Sequence, residues 1–291
     1  MNVWHPTSEG YVIVQGLRVA YRRFGEPGKK GTVLSLHGGP GCPSDYLLPL
    51  TDLTRFGYEV VLYDQMGSGK SERVKYADLL TVERHVEEVE GVRRALKLGK
   101  VHLFGNSWGG MLALAYALKY QRNLRSLILC GALSSVPVYW RVVERQRSQL
   151  PAAVRRTLRK YEAAGDYKNP EYRNAAKAWY GKHILRSRAP EISYSAQGEG
   201  GFVYQTMWGP NELVCIGALR YWDVRDRLHE IQVPCLVMDG RYDNVAPEIG
   251  RSICKAIKDA KFILFKKSGH RPMWDEREKF TKLVGDFITK V

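Results

Sequence analysis

Six short apolar segments, separated by longer stretches, constrain the fold of this chain more than any other feature of its sequence. Each segment ends at or beside a turn or a polar residue, and they are TVLSLH (32–37), EVVLYD (59–64), KVHLFG (100–105), LRSLILCG (124–131), VPCLVMDG (233–240) and AKFILF (260–265). Runs of this length with few polar residues are typical of strands buried on both faces of a parallel sheet. Helical stretches lie between many of them, and this alternation predicts an α/β fold.

The beginning of the chain and an interruption in its middle complete the predicted architecture. VIVQGLRVAYRRF (12–24) predicts two more strands joined by a turn at Gly16, so we expect a mostly parallel sheet of about eight strands. Irregular helices and loops replace the alternation in the middle. We therefore predict a catalytic sheet domain of residues 1–135 and 223–291, with a helical cap of residues 136–222 inserted after the sixth strand.

The charge of the chain is strongly positive but dispersed. Its 45 Lys and Arg residues exceed its 30 Asp and Glu residues and give a formal net charge of +15. Positive residues are mixed with acids along the chain, without a basic tail or a basic-aromatic repeat. This pattern favours a charged, solvated surface over a nucleic-acid interface, so we expect no nucleic-acid partner.

Several classes of protein are disfavoured by what the sequence does not contain. No apolar run approaches the roughly 20 residues of a membrane-spanning helix, and MNVWHPTSEG at the amino end lacks the pattern of a signal peptide. No C-x-x-C or H-E-x-x-H pattern occurs, and the five scattered cysteines are interpreted as reduced thiols. We expect a cytoplasmic protein without a metal, another cofactor or membrane contact.

A serine between glycines follows the third of the six segments. FGNSWGG (104–110) contains G-x-S-x-G between a predicted strand and an apolar helix, which is the context of a nucleophile elbow. Such a tight turn exposes a serine hydroxyl above the sheet, and small neighbours are needed because the backbone packs closely there. We therefore predict that Ser107 is a nucleophile.

A glycine-rich loop after the first of the six segments complements this serine. LHGGPG (36–41) resembles the HGGG-type loop with which esterases stabilise an oxyanion. We predict that the N–H of Gly39 is one oxyanion donor and that the N–H of Trp108, directly after the nucleophile, is the other.

A serine hydroxyl needs a base, and three histidines follow Ser107 in the chain. His183 and His229 lie in helical stretches, one within the predicted cap and one just after it. His270 lies in the loop KKSGHRPMW after the last predicted strand, where it can reach the carboxyl edge of the sheet. We predict that His270 is the base.

The base needs an orienting carboxylate, for which VPCLVMDGRYDNVAP (233–247) offers two candidates. Asp239 closes the strand, whereas Asp243 lies four residues further, in the loop. The order Ser, then acid, then His matches the nucleophile-elbow hydrolases. We favour Asp243, with Asp239 as the alternative.

These residues together resemble a known family, the proline iminopeptidases of the α/β-hydrolase superfamily, and particularly its archaeal tricorn-interacting members. The resemblance extends over most of the chain and includes HGGPG, the elbow G-x-S-W-G-G and a group of shorter stretches, which are YDQMGSGKS (63–71), LSSVP (133–137), NPEY (169–172), GPNE (209–212) and GRYDNVAP (240–247). It implies an α/β-hydrolase fold with a cap. It also implies a metal-free serine aminopeptidase that releases amino-terminal residues, preferentially proline, from short peptides through an aminoacyl-enzyme intermediate.

The resemblance also implies how the free amino terminus is recognised. Glu212 matches a glutamate that binds this group in the family, in line with the need of a buried ammonium for a carboxylate. Archaeal relatives carry a second glutamate directly after the triad aspartate, but this chain has Asn244 there. An amide accepts a hydrogen bond but brings no charge, so we expect weaker amine binding or compensation by Glu199 or Glu144.

Two other classes of function stay open at this point. A carboxylesterase, or another serine hydrolase of the fold, would use the same triad without an acid for the amine. A non-catalytic binding protein is disfavoured by the intact set of Ser107, Asp243 and His270. The resemblance further implies short peptides as partners and a large protease that supplies them, and we expect a monomer.

Overall fold

The computed structural model describes residues 4–27, 30–184, 186 and 201–291. Within these residues eight strands form one sheet in the order β1-β2-β4-β3-β5-β6-β7-β8. The strands are β1 Ser8–Val14, β2 Leu17–Phe24, β3 Thr32–Leu36, β4 Glu59–Tyr63, β5 Val101–Asn106, β6 Leu124–Cys130, β7 Cys235–Gly240 and β8 Ala260–Phe265. The predicted mostly parallel sheet of about eight strands is confirmed, since only the pairs β1–β2 and β2–β4 are antiparallel.

Helices cover both faces of the sheet and make up the inserted segment. They are α1 Val82–Ala95, α2 Trp108–Tyr120, α3 Val136–Ser148, α4 Ala152–Ala163, α5 Pro170–His183, α6 Phe202–Met207, α7 Pro247–Ala256, α8 Pro272–Asp275 and α9 Arg277–Ile288. Segments of 3₁₀ helix lie in several of the connections, including the 13-residue Ser44–Phe56 between β3 and β4. None of the helices in the described ranges combines the length and apolarity of a bilayer-spanning segment.

The central strands are apolar at nearly every position because both of their faces are covered. Along β5, Leu103 packs into the core on the side of α1 and α2, whereas Phe104 packs into the core on the side of α9. Along β6, Leu127 and Ile128 divide between the same two cores. Each such side chain contributes roughly 1.5–3 kcal/mol through its burial. Two-sided burial therefore explains the runs seen in the sequence.

Local signals set most of the element boundaries. Thr81 caps α1 by accepting a hydrogen bond from the N–H of Arg84 at 3.2 Å. The sequence predicts that this helix continues to Gly99, but it ends at Ala95. Lys97 adopts a positive φ of 55°, so the chain leaves the helix before the glycine and Gly99 belongs to the turn into β5.

The inserted helices α3 to α6 lie between β6 and β7 in the chain, and the chain leaves and rejoins the sheet at a single neck. There Ser135 bridges Asp223, with a hydrogen bond of 2.9 Å from the serine hydroxyl to the carboxylate. A Cβ placed on Gly41 would lie 3.1 Å from Val203, so α6 packs against the loop that follows β3. The inserted segment therefore covers the carboxyl edge of the sheet.

Candidate active site

Ser107 occupies the tight turn between β5 and α2. Its backbone has φ 58° and ψ −123°, a strained conformation for a residue with a side chain. A Cβ on Gly105 would collide with the carbonyl of Gly109, and a Cβ on Gly109 would collide with the carbonyl of Leu36. The glycines of the motif are thus required by close backbone approach, as the sequence predicts for a nucleophile elbow.

Asp243 and His270 meet at the same edge of the sheet. Asp243 follows β7, His270 follows β8, and their Oδ1 and Nδ1 atoms lie 2.7 Å apart. Both side chains are nearly inaccessible, with 0% and 7% of their surface exposed. A Cβ on Gly131, which follows β6, would lie 2.7 Å from Nδ1 of His270. The pair therefore lies against the end of the strand next to the one that carries Ser107.

The alternative acid and the two other histidines have different surroundings. Both carboxylate oxygens of Asp239 have no hydrogen-bond partner among the described residues, and the side chain points at α7, where a Cβ on Gly250 would collide with it. Burial, and then the nearby charge of Asp243, raise the pKa of Asp239 well above its usual range. His229 is exposed, and His183 donates from Nδ1 to the carbonyl of Tyr242 at 2.7 Å.

The loop after β3 passes directly beside the nucleophile. A Cβ on Gly38 would lie 2.9 Å from the Cβ of Ser107. The N–H of Gly38 donates to the hydroxyl of Tyr46 at 2.6 Å. In contrast, no acceptor among the described residues takes the N–H of Gly39 or of Trp108. These two donors are therefore available to a ligand, and their predicted role as oxyanion donors stays a prediction.

Tyr46 and Asn106 support this loop, and sequence reasoning missed both. The hydroxyl of Tyr46 donates to Oδ1 of Asn106 at 2.9 Å, and Nδ2 of Asn106 donates to the carbonyl of Cys130 at 2.9 Å. Nδ2 also lies 3.4 Å from the carbonyl of His270. Burial raises the pKa of Tyr46, so its hydroxyl stays a donor. The only signal in the sequence was an amide inside the elbow, between Gly105 and Ser107.

Gln65 connects the glycine loop that contains Gly39 to the side chain of Trp108. Its Nε2 donates to the carbonyl of His37 at 2.8 Å, and its Oε1 accepts from the indole N–H of Trp108 at 2.8 Å. Its backbone N–H donates to Nε2 of His37 at 2.9 Å. Burial lowers the pKa of His37, which matches a neutral ring that accepts at this nitrogen. One buried amide thereby ties the glycine loop to the elbow.

Glu212 lies in the inserted segment, with its carboxylate held by an aromatic neighbour. The hydroxyl of Tyr204 donates to Oε1 of Glu212 at 2.8 Å. Of the other two acids considered from the sequence, only Glu144 is among the described residues, and it is not brought to this position. Glu144 is 62% exposed on α3 and pairs with Arg147 at 3.2 Å, and Glu199 lies outside the described residues.

Asn244 is linked to Glu212 through Tyr139. The hydroxyl of Tyr139 lies 3.2 Å from the carbonyl oxygen of Glu212, which can only accept, so the single hydroxyl proton points there. The amide atom of Asn244 at 3.0 Å from the same hydroxyl must then be the donor Nδ2. Oδ1 of Asn244 consequently points elsewhere, and it is buried without a partner among the described residues. A buried acceptor of this kind is suited to a ligand's N–H.

The side chains of the site offer acyl-transfer chemistry. A serine at a tight turn, a histidine with a carboxylate partner and two backbone N–H groups without an acceptor among the described residues are the kinds of group used in that reaction class. In the ranges that the structure describes, no three His, Cys, Asp or Glu side chains lie close enough together to hold a metal ion.

Known proteins resemble this chain over nearly its whole length. The α/β-hydrolase fold family matches residues 31–277. The proline iminopeptidase of Thermoplasma volcanium is 41% identical and covers 97% of both chains. That of Saccharolobus solfataricus is 38% identical and covers 97% of this chain and 93% of its own.

Solved structures also match this chain over nearly its whole length. The crystal structure of VinJ has a TM-score of 0.92 and 36% identity, covering 98% of this chain and 99% of its own. The proline iminopeptidase of Mycobacterium smegmatis has a TM-score of 0.89 and 31% identity, covering 97% and 98%. An esterase from Exiguobacterium antarcticum, at 24% identity and a TM-score of 0.69, shares only the fold. With relatives of 41% and 38% identity matched over nearly the whole chain, this protein belongs to the proline iminopeptidase family of the α/β hydrolases.

Proposed function

We propose that the chain is a serine aminopeptidase that releases amino-terminal proline from short peptides. The observation that carries the proposal is the buried pair of Asp243 and His270, 2.7 Å apart at the sheet edge that also carries the Ser107 elbow. The substrate class is supported by the relatives of 38% and 41% identity that are named proline iminopeptidases.

In the proposed reaction Ser107 Oγ attacks the carbonyl carbon of the first residue while His270 Nε2 takes the hydroxyl proton. Asp243 accepts from Nδ1 and stabilises the imidazolium that forms. The tetrahedral intermediate collapses when the C–N bond breaks and the leaving amine takes the proton from His270. Water, deprotonated by the same histidine, then hydrolyses the aminoacyl ester on Ser107 and releases the free amino acid.

The oxyanion of each tetrahedral intermediate accepts from the N–H groups of Gly39 and Trp108. Both donors are rigid, because Gln65 ties the glycine loop to the indole of Trp108. Each donor of this kind stabilises the transition state by about 2.7–4 kcal/mol.

Glu212 and Asn244 bind the substrate's amino terminus in this proposal. A protonated proline nitrogen carries two N–H donors, and the carboxylate of Glu212 and Oδ1 of Asn244 supply two acceptors. Tyr139 connects the backbone carbonyl of Glu212 to Nδ2 of Asn244. Only Glu212 brings a charge, so it contributes most of the attraction to the ammonium.

Three further parts of the proposal concern organisation and partners. Residues 136–222 form the cap and residues 1–135 with 223–291 form the catalytic domain, which is supported by the neck at Ser135 and Asp223. The chain works as a monomer, without a nucleic-acid partner. Its peptides are products of a larger protease, as the family resemblance implies.

Turnover of proline, leucine and alanine nitroanilides, and of an N-blocked nitrophenyl ester, tests the proposal. We expect proline to be preferred and Ser107→Ala to lower turnover of every substrate at least about 10³-fold. Glu212→Gln should raise KM for the free-amine substrates by roughly 10- to 100-fold, because a hydrogen bond to a charged group stabilises by about 1.5–3 kcal/mol.

Glu144→Gln, which removes an exposed carboxylate of the same cap, is the matched control and should behave as wild type. Ester turnover without any aminoacyl-amide turnover would show a carboxylesterase instead. An equal loss on the N-blocked ester in Glu212→Gln would refute the assigned role of Glu212.

A further inference from the structure

The end of cap helix α5 contacts the loop that carries the triad acid. We call His183, Ile184 and Arg186 the α5 clasp. Nδ1 of His183 lies 2.7 Å from the carbonyl of Tyr242, the residue before Asp243, so Nδ1 carries the proton and donates. The guanidinium of Arg186 stacks on the ring of Tyr242 at 3.8 Å. Two members of the clasp therefore hold one residue of the acid loop.

The same clasp contacts the loop that carries the triad histidine. The backbone N–H of His270 donates to the carbonyls of His183 and Ile184, at 3.0 and 2.9 Å. Nε of Arg186 donates to the carbonyl of Lys267 at 3.2 Å. The carboxylate of Asp275 accepts from the N–H of Arg186 at 3.0 Å and from that of Gly269 at 2.9 Å.

A second cap helix reinforces the contact with the acid loop. Nε2 of Gln146 on α3 lies 3.2 Å from the carbonyl of Asp243 and 3.3 Å from that of Asn244. Its Oε1 accepts from the indole N–H of Trp179, whose ring lies 5.3 Å from that of His183. His183 of the clasp is thus in contact with a buried set of side chains, Trp179 and Gln146, whereas Arg186 is exposed.

These contacts matter because Asp243 and His270 are carried by separate loops. The loops contact each other directly where the N–H of Tyr242 donates to the carbonyl of Ser268 at 3.0 Å. The clasp joins the acid loop on one side and the backbone of His270 on the other. Errors of about 1 Å in the placement of a catalytic group can lower a rate about 10²-fold. Holding both loops from one helix end limits such errors.

We propose that the α5 clasp positions the catalytic triad, so that the cap is a structural part of the catalytic machinery as well as a cover for the site. His183 and Arg186 are positioning residues in this proposal, acting through Tyr242 and the backbone of His270. The inference rests on the proposed triad. The carbonyl end of α5, which carries the negative end of the helix dipole, also lies beside the residue that becomes cationic during the reaction.

Steady-state kinetics of clasp variants test this. His183→Phe keeps a ring against Trp179 but loses the donor to Tyr242, and should lower kcat about tenfold with KM changed less than about twofold. His183→Asn places a donor where Nδ1 was and should recover most of the loss. Arg186→Ala, at an exposed position that can lose its side chain without a cavity, should lower kcat about fivefold.

The matched control is His102→Phe. His102 is likewise a buried histidine that bonds through Nδ1, here to Ser126, and lies 5.6 Å from an aromatic ring, that of Tyr58, but it is at the other end of β5. Its substitution should lower thermal stability and leave kcat unchanged. If His183→Phe does not fold, the kcat of Arg186→Ala decides whether the clasp positions the triad.

The proposal is overturned if His183→Phe and Arg186→Ala both keep the wild-type kcat, or if His183→Asn is as impaired as His183→Phe. Should wild-type protein turn over no aminoacyl amide, the proposed function fails by itself. The rate at which a fluorophosphonate labels Ser107 then replaces kcat as the readout of triad geometry in the same variants.

Discussion

Individual buried polar residues hold in place the groups that the sequence motifs of this chain identify. Ser107, Asp243 and His270 could be chosen from chain order and from their position after strands, because a parallel sheet gathers those positions at one edge. Tyr46, Gln65 and the other supports could not, because their partners lie on different elements and leave no local pattern. At the scale of residues, the sequence identifies reacting groups better than the groups that hold them.

Glu88 gives a prediction about pH at this scale. It is buried on α1, its carboxylate accepts from the N–H of Met66 at 3.0 Å, and burial raises its pKa from 4.5 to about 8. Below pH 4.5 both the folded and unfolded states hold the proton. As pH rises towards 8 the unfolded chain loses the proton first, so the free energy of unfolding falls, by up to about 1.4 kcal/mol per pH unit.

Urea unfolding of wild type and Glu88→Gln at pH 5, 6, 7 and 8 measures this effect. The variant keeps an acceptor for Met66 and should gain stability relative to wild type as pH rises. Glu83→Gln, an exposed acid on the same helix, should follow the wild-type slope. Parallel pH profiles for wild type and Glu88→Gln would show that Glu88 is ionised in the folded protein.

At the scale of elements, the sequence predicts the strands and helices but not the residue at which α1 ends. A glycine is a common helix stop, yet α1 ends at Ala95 and the turn to β5 uses both Lys97 and Gly99. The start of the inserted segment has a clearer signal, since Ser135 precedes α3 and Pro137 occupies its first turn.

Ser135 therefore carries a stability prediction. Its Oγ accepts from the N–H of Val138 at 3.3 Å and donates to Asp223 at 2.9 Å, so it caps α3 and closes the neck. Ser135→Ala should lower the free energy of unfolding by about 1 kcal/mol, measured by denaturant titration. Ser148→Ala, at the exposed end of the same helix, should change it much less. Equal losses in both variants would contradict the capping role.

At the scale of the whole molecule, the positive charge is compensated locally in many places. Basic side chains pair with acids along the chain, as in Arg23–Glu59, Arg93–Glu90, Arg147–Glu162, Arg225–Asp223 and Arg277–Asp52. Pairs that are exposed, such as Lys119–Glu87, contribute little stability, about 0–1 kcal/mol each. The ion pairs also interrupt the positive surface potential, whereas binding of a polyanion requires a continuous positive patch.

The +15 net charge should therefore produce only weak, salt-sensitive binding to DNA. We expect the protein to bind immobilised duplex DNA at low ionic strength and to elute by about 0.15 M salt, where the Debye length is about 8 Å. Elution is followed by absorbance and by peptidase activity. Retention well above that salt concentration would reveal a nucleic-acid interface after all.

The sequence by itself determined the α/β class, the elbow, the glycine loop and the order of the triad residues. Those features depend on local sterics, on two-sided burial of short strands and on the rule that parallel strands end at one edge. Only the tertiary structure decided how residues from the inserted segment meet the triad loops. His183 and Gln146 carry no pattern that points to Tyr242 or Asp243, since such contacts arise from the packing of α3 and α5 over the sheet edge. Because packing of that kind depends on the whole chain at once, local sequence patterns in residues 136–222 could not predict these contacts.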